Sequence, residues 1–364
     1  MSRPRRAEGE GQLNWTRRQL LASGMAAGLT ACSGGAPRNK AGAPPPPVTV
    51  TLGTPDYPSV SRPEFQDIGY FARQVHQLSG GQMNIRVLWG VAGEATDFEQ
   101  VTVSLVRDGK VDLGWIGARA WDTLGVRSFQ ALQAPFLIDS YPLLDAAVKS
   151  PMAGRMLAGL HQAGFTGLGL YPDQLRHLIG FRKPLASPRD LRGARIRVPS
   201  SRASDALFRA LGAVPVHLNG SGFSQAITSG TVGGVDAGVA GAAKFGGEFL
   251  TGNIILYAKA NTLFADAGRF ARLTASQRQV LRSAAQRTFT FALATPPEPG
   301  GLAAFCASGR VVTASRTAVD AIKRAAQPEY AALQRDPQTK AFIRQIQQMK
   351  QQFPAPVSLA ACRH

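Results

Sequence analysis

The stretch Asp190-Leu-Arg-Gly-Ala-Arg-Ile-Arg-Val-Pro-Ser-Ser-Arg-Ala-Ser-Asp-Ala-Leu-Phe-Arg-Ala-Leu-Gly-Ala-Val-Pro-Val216 reads as strand, helix, strand. Ala194–Val198 alternates apolar and polar residues, as a strand does. Pro199 ends it, Ser200 or Ser201 can cap the helix Arg202–Leu211, and Val214–Val216 is a second short strand. Arg197 therefore stands at a strand's carboxyl end, directly before a helix N-terminus. A guanidinium fork, free backbone N–H groups and the positive end of a helix dipole would meet there and could hold a carboxylate or phosphate. The equally open reading is an internal ion pair between Arg197 and a nearby Asp or Glu.

The same alternation extends outward in both directions. Val48–Leu52, Asn84–Trp89, Val111–Ile116 and Thr166–Leu170 read as strands. Helical spacing runs through Phe65, Ile68, Phe71, Val75 and Leu78 behind a capping box at Ser61–Glu64, and through Phe98, Val101 and Leu105. Further helices are expected at Leu143–His161, Phe223–Ser229, Thr274–Ala292 behind a second capping box, Thr317–Leu333 and Gln338–Gln352. Helices alternating with short apolar runs predict an α/β fold with a largely parallel sheet. The chain beyond residue 48 exceeds the usual single-core size of about 250 residues, so two lobes are expected.

The N-terminus has a different character. Met1–Arg18 is polar and includes the pair Arg17-Arg18, Leu20–Leu29 is apolar, and Leu29-Thr-Ala-Cys32 follows. Basic region, short apolar region and small-residue cleavage site make a secretory signal over residues 1–31. Thr16-Arg-Arg-Gln-Leu-Leu21 resembles the twin-arginine export motif, and Leu-Thr-Ala-Cys resembles a lipobox that would make Cys32 the lipid-attachment residue. Residues 32–47, rich in Gly, Ala and Pro, serve as a flexible spacer. The protein is thus expected on the extracytoplasmic face of the cell membrane, held by its lipid. Cys306 and Cys362 either pair or stay as two thiols, and spacing alone leaves this open.

The formal net charge is +18, of which the leader's five arginines and two glutamates account for three. The basic residues are scattered singly, with no aromatic-plus-basic motif, so most are read as a solvated surface, with small anions or an anionic membrane surface as the next reading and nucleic acid last. The five histidines show no metal-ligand spacing, no Gly-x-Ser-x-Gly elbow occurs, and no phosphate-cradling glycine loop follows a strand. No catalytic, metal or cofactor site is expected. An exported two-lobed α/β chain without these signatures has the profile of a solute-binding protein, with ligand in the cleft between lobes.

Several ordered motifs add a family resemblance. Gly109-Lys-Val-Asp-Leu113, Leu175-Arg-His177, Arg182–Pro199, Ala210-Leu-Gly-Ala-Val-Pro215 and Ala226–Asp236 resemble the substrate-binding subunits of tripartite ATP-independent periplasmic (TRAP) transporters, DctP type. The resemblance covers nearly all of the mature chain. It implies a two-lobed periplasmic-binding-protein-like fold with a hinge and long C-terminal helices. The first lobe would comprise 48–172 plus 262–298, the second 173–261 plus 299–352, and 353–364 a tail. It implies a monomer that captures a small organic acid and delivers it to TRAP membrane permease subunits, with no enzymatic activity. By this likeness Arg197 is the carboxylate anchor, Arg176 a second contact and Ser200 a polar neighbour.

The chain departs from the family pattern at two places. Val232-Gly-Gly-Val-Asp-Ala237 puts Ala237 where the family has a ligand-holding Asn, with Asp236 as acidic neighbour. Gly220 stands where an aromatic lid residue is usual, leaving His217 and Asn219 as polar candidates. These changes imply a larger or differently shaped ligand, or a pocket that has lost its own. Trp89, Trp115 and Trp121 fall at or after strand ends and could wall the cleft or simply pack. The alternatives carried forward are a receptor of the same fold serving another transporter or a sensor, and a secreted enzyme.

Overall fold

The computed structural model describes residues 46–58, 67–295, 298–353 and 358–362, with the side chains of 298 and 299 excepted. The leader, Cys32, the spacer to residue 45, the Ser61–Glu64 capping box with Phe65, and His364 lie outside the described residues.

Nine strands are described: β1 (Val48–Gly53), β2 (Met83–Leu88), β3 (Leu113–Gly117), β4 (Phe165–Gly180), β5 (Arg195–Arg197), β6 (Val214–Val216), β7 (Gly234–Ala237), β8 (Phe249–Asp266) and β9 (Arg310–Val312). They form one sheet in the order β2-β1-β3-β8-β4-β7-β5-β6, with β9 also on β8. The strands β4 and β8, of 16 and 18 residues, hold the molecule together. Their first pairing, Phe165–Pro172 with Ala260–Asp266, lies beside β3. Their second, Leu175–Gly180 with Phe249–Ala258, lies beside β7 and β9. Two halves therefore share two strands, which is the expected two-lobed α/β design.

The sheet is mixed rather than largely parallel. Pairs β1–β2, β1–β3, β5–β6, β5–β7 and β8–β9 are parallel, whereas β3–β8, β4–β7 and β4–β8 are antiparallel. Strand β8 escapes sequence reading because it is buried along most of its length and shows no two-residue alternation.

Each half has its own apolar packing. On the β1–β3 side, Leu52, Phe71, Trp115 and Leu281 form one cluster, and Trp121, Phe165 and Phe264 another. The C-terminal helix Pro337–Lys350 adds Phe342, Ile343 and Ile346 to the Trp121 cluster. On the β5–β7 side, Ile196, Leu207 and Tyr257 cluster together, as do Val235, Phe223 and Phe305. Burying each such side chain contributes about 1.5–3 kcal/mol.

Prolines divide two expected helices. Pro151 starts a new helix, so Leu143–His161 becomes Tyr141–Lys149 and Pro151–Ala158 with a 3-10 turn, and Pro328 likewise separates Arg316–Ala325 from Gln327–Leu333. The second capping box forms as expected, with Gln277 N donating to Thr274 Oγ1 (3.1 Å) and Thr274 N to Gln277 Oε1 (2.9 Å). Cys306 and Cys362 are joined by a disulfide across 56 positions, which by chain entropy stabilises the fold by about 4 kcal/mol.

Candidate ligand-binding site

Strand β5 runs parallel to β6 and β7, so Arg197 at the end of β5 and Ala237 at the end of β7 share one edge of the sheet. That edge opens on a cavity of about 710 Å³, walled by Arg119, Arg176, Arg197, Phe98, Phe223, Asn219, Ala237 and Lys259, among others.

The three arginines differ in their partners. Arg176, on β4, donates through Nη2 to Asp236 Oδ1 at 2.7 Å, and the other Asp236 oxygen accepts from the Tyr257 hydroxyl. Burial opposes the charge on Arg176, but the Asp236 carboxylate outweighs it and moves the guanidinium upward. Burial would raise Asp236, yet Arg176 and Arg119 hold it below the usual carboxylate range. Arg119 follows β3 and donates through Nη2 to Glu99 Oε1 at 3.0 Å; its Nε and Nη1, like Arg176 Nε, are buried without an acceptor among the described residues.

Arg197 is 6% exposed and makes no ion pair among the described residues. Its Nε donates to the Leu218 carbonyl at 2.8 Å, and its guanidinium carbon lies 5.4 Å from the Phe98 ring centre and 5.1 Å from that of Phe223. The terminal nitrogens have no protein acceptor among the described residues. Burial pushes Arg197 down to about 10, the Asp236 and Glu99 charges opposing this and those of Arg119 and Arg176 adding to it, so it stays charged at neutral pH. A buried cation whose nearest carboxylates lie beyond ion-pair distance is costly to hold.

A second chamber of about 400 Å³ adjoins the first, and the two share Asp56, Tyr57, Gln174, Lys244 and Lys259. Its own walls include Asp67, Asp145, Asp173, Asn261, Trp89 and Trp115. Asp173 Oδ2 accepts from Lys259 Nζ at 2.7 Å and from Asn261 Nδ2 at 2.9 Å. Asn261 Oδ1 is buried without a donor. Burial, with help from the Asp173 charge, pushes the Asp67 carboxyl up to about 7.

The residues singled out in the sequence are only partly brought together. Arg197, Arg176 and Ala237 line the first chamber, and Trp115, stacked on Tyr171 at 4.4 Å, lines the second with Trp89. Asp236 is fully buried behind Arg176 rather than in the wall. The Ser200 carbonyl accepts from Gln100 Nε2 at 2.9 Å, and His217 bonds Asp205 at 2.8 Å; neither is in either wall. Trp121 is core, donating to Thr262 Oγ1 at 2.9 Å.

The expected helix N-terminus is also already occupied. Asp122 accepts from Ser201 Oγ (2.7 Å), Arg202 N (3.1 Å) and Ala203 N (3.0 Å), so those amides do not face the cavity. Ser201, not Ser200, is the cap. An aromatic wall is present despite Gly220, because Phe223 supplies it one turn later in the helix Gly220–Ser229. Sequence reading missed Arg119, Phe98, Phe223, Lys259 and Tyr257 as contributors. Arg119 was findable, since it follows a strand end just as Arg197 does.

Fold and cleft together define a two-lobed solute-binding protein. The family of bacterial extracellular solute-binding proteins, family 7 (DctP), matches residues 56–335, and the chain belongs to that family. Over 113 residues it is 30% identical to the C4-dicarboxylate-binding periplasmic protein DctP of Rhodobacter capsulatus, covering 31% of this chain and 34% of that protein. The chain spans only a third to a half of the length of the curated relatives it matches, at 34%, 33% and 49%. Among solved structures, a TRAP periplasmic solute-binding protein of Bradyrhizobium in complex with galacturonate superposes with TM-score 0.73 at 20% identity, covering 83% of this chain and 100% of that one. One from Ralstonia eutropha with bound (S)-2-acetolactate gives TM-score 0.70 at 22% identity, covering 84% and 99%. At such identities the likeness is one of fold.

Proposed function

We propose that this protein captures a small hydroxylated organic acid in the cleft and hands it to TRAP membrane permease subunits. The carrying observation is Arg197, a buried cation with a carbonyl partner, two aromatic faces and no ion-paired carboxylate among the described residues. A ligand carboxylate completes it bidentately. Arg119, with two unmatched N–H groups in the same wall, is the second donor to that anion. Arg176 is a positioning residue, since Asp236 already engages it.

The hydroxylated part of the reading rests on the second chamber. Asp67, Asp173 and Asn261 offer acceptors there, which suit donating hydroxyl groups. Tyr57, 57% exposed between the two chambers, gives a flat apolar face for the ligand's carbon skeleton. Relatives in fold hold galacturonate and acetolactate. A sugar acid uses both chambers, whereas a molecule as small as acetolactate leaves the acceptors unmatched.

The lobes are read as 48–172 plus 262–298 and 173–261 plus 299–352, hinged where β4 and β8 pass between them. Residues 1–31 are read as the export signal and Cys32 as the lipid-bearing first residue of a monomer tethered near its permease. Thermal-shift screening against uronates, aldonates and short dicarboxylates tests the ligand, because a bound acid raises the melting temperature by mass action. Uronates or aldonates are expected to stabilise most. Stabilisation by succinate alone would overturn the hydroxylated part of the reading. Release of a Cys32→Ala variant from the membrane fraction tests the anchor.

A further inference from the structure

The Gly220 departure has a structural partner far away in sequence. The helix Gly220–Ser229 begins at Asn219, whose side chain makes no capping bond to its own helix. Asn219 Nδ2 instead donates to the Gly93 carbonyl at 3.0 Å. Glu94 provides the cap: its Oε2 accepts from Ser221 N at 2.6 Å and from Ser221 Oγ at 2.8 Å. Those donors hold the Glu94 carboxyl below the usual range. A carboxylate at a helix N-terminus also meets the positive end of the helix dipole.

Gly220 is what admits this carboxylate. Its φ is +48°, and a Cβ there would stand 2.2 Å from Glu94 Oε1, 2.3 Å from Oε2 and 2.4 Å from Cδ. A side chain at position 220 would be strained at this φ and would force the Glu94 carboxylate to shift from its present place. In this chain the bare Gly220 and the Glu94 cap therefore go together.

The two partners belong to opposite walls. Glu94 lies between β2 and the helix Phe98–Arg107, on the β1–β3 side. The capped helix packs through Phe223 and Ala226 on Val235 and Phe305, on the β5–β7 side. Phe98 from the first wall and Asn219, Gly220, Phe223 and Ser224 from the second line the same cavity. We propose that Glu94 is a retention residue, whose carboxylate ties the two walls together across the cleft mouth and sets how long a ligand stays. The proposal rests on the cleft being the ligand site, but its mechanical part needs no ligand to be tested.

Hydrogen exchange read by mass spectrometry on the full, ligand-free chain is the experiment. Glu94→Ala is expected to speed exchange about tenfold on both sides of the mouth, in peptides spanning 89–97 and 218–226, with the helix Ala275–Ala294 unchanged. Gly220→Ala should give the same two-sided pattern by displacing the carboxylate, and should add little in the Glu94→Ala background. Faster exchange confined to 220–224 would mean a mere local cap and would overturn the proposal, as would no change at all. Failure of the acid screen with two-sided loosening intact would sink the ligand reading and leave the tie standing.

Discussion

The two chambers of the cleft share a wall and solve opposite electrostatic problems. In the first, Arg119 Nε and Nη1 and Arg176 Nε are buried donors with no acceptor among the described residues, beside Arg197, and Gln174 Oε1 on the shared wall is an unmatched acceptor. In the second, a further buried acceptor without a donor among the described residues is Asn261 Oδ1, and burial pushes the neighbouring Asp67 carboxyl up to about 7. On the proposed reading, the arginines of the first chamber take the anionic end of a ligand and the second chamber its hydroxyl-bearing end. Neither chamber alone would distinguish a sugar acid from any other carboxylate.

The comparison breaks first, and hardest, within the arginine chamber. Asp236→Asn would leave Arg176 buried without its counter-ion, which costs about 3–5 kcal/mol of stability by denaturant unfolding. A loss below about 1 kcal/mol would mean that Arg176 is compensated elsewhere. Arg197→Ala should do the reverse. It lowers affinity for the stabilising acid by about 2–5 kcal/mol in calorimetry, while the melting temperature of the ligand-free protein holds or rises. Equal affinities would remove Arg197 as anchor.

The acceptor chamber yields a pH test. The folded-state value of Asp67, about 7, lies above its ordinary 3.8. Its contribution is therefore fully present below pH about 4 and lost as pH rises through about 7. Asp67→Asn should match wild type near pH 4 and gain on it up to pH 7, by roughly 2 kcal/mol after allowing for partial exposure. A flat difference between the two melting profiles would contradict this. The smallest effect is expected from Asn261→Ala: about 1 kcal/mol of affinity for a hydroxylated acid and none for a plain one. Equal losses for both would mean that Asn261 only supports Asp173.

What was legible in the sequence follows from how local each signal is. Arg197 could be found because strand, proline and cap lie within a dozen residues, and motif order carried the family. The helix N-terminus beside it could not be assigned, since Asp122, its actual occupant, is about 80 positions away. Gly220 looked like a missing side chain until Glu94, 127 positions from Ser221, explained it. Strand β8 was unreadable because burial on both faces erases alternation.

One feature of the fold has a mechanical meaning. Strands β4 and β8 pair out of register at several places between Pro172 and Ile179, the stretch that also carries Asp173, Gln174 and Arg176. Bulges interrupt the ladder and bend the strand locally. The bulged stretch is thus the one whose side chains line both chambers. Under the proposed function, a solute gripping these side chains would act on the bulged strands directly, with no lever in between.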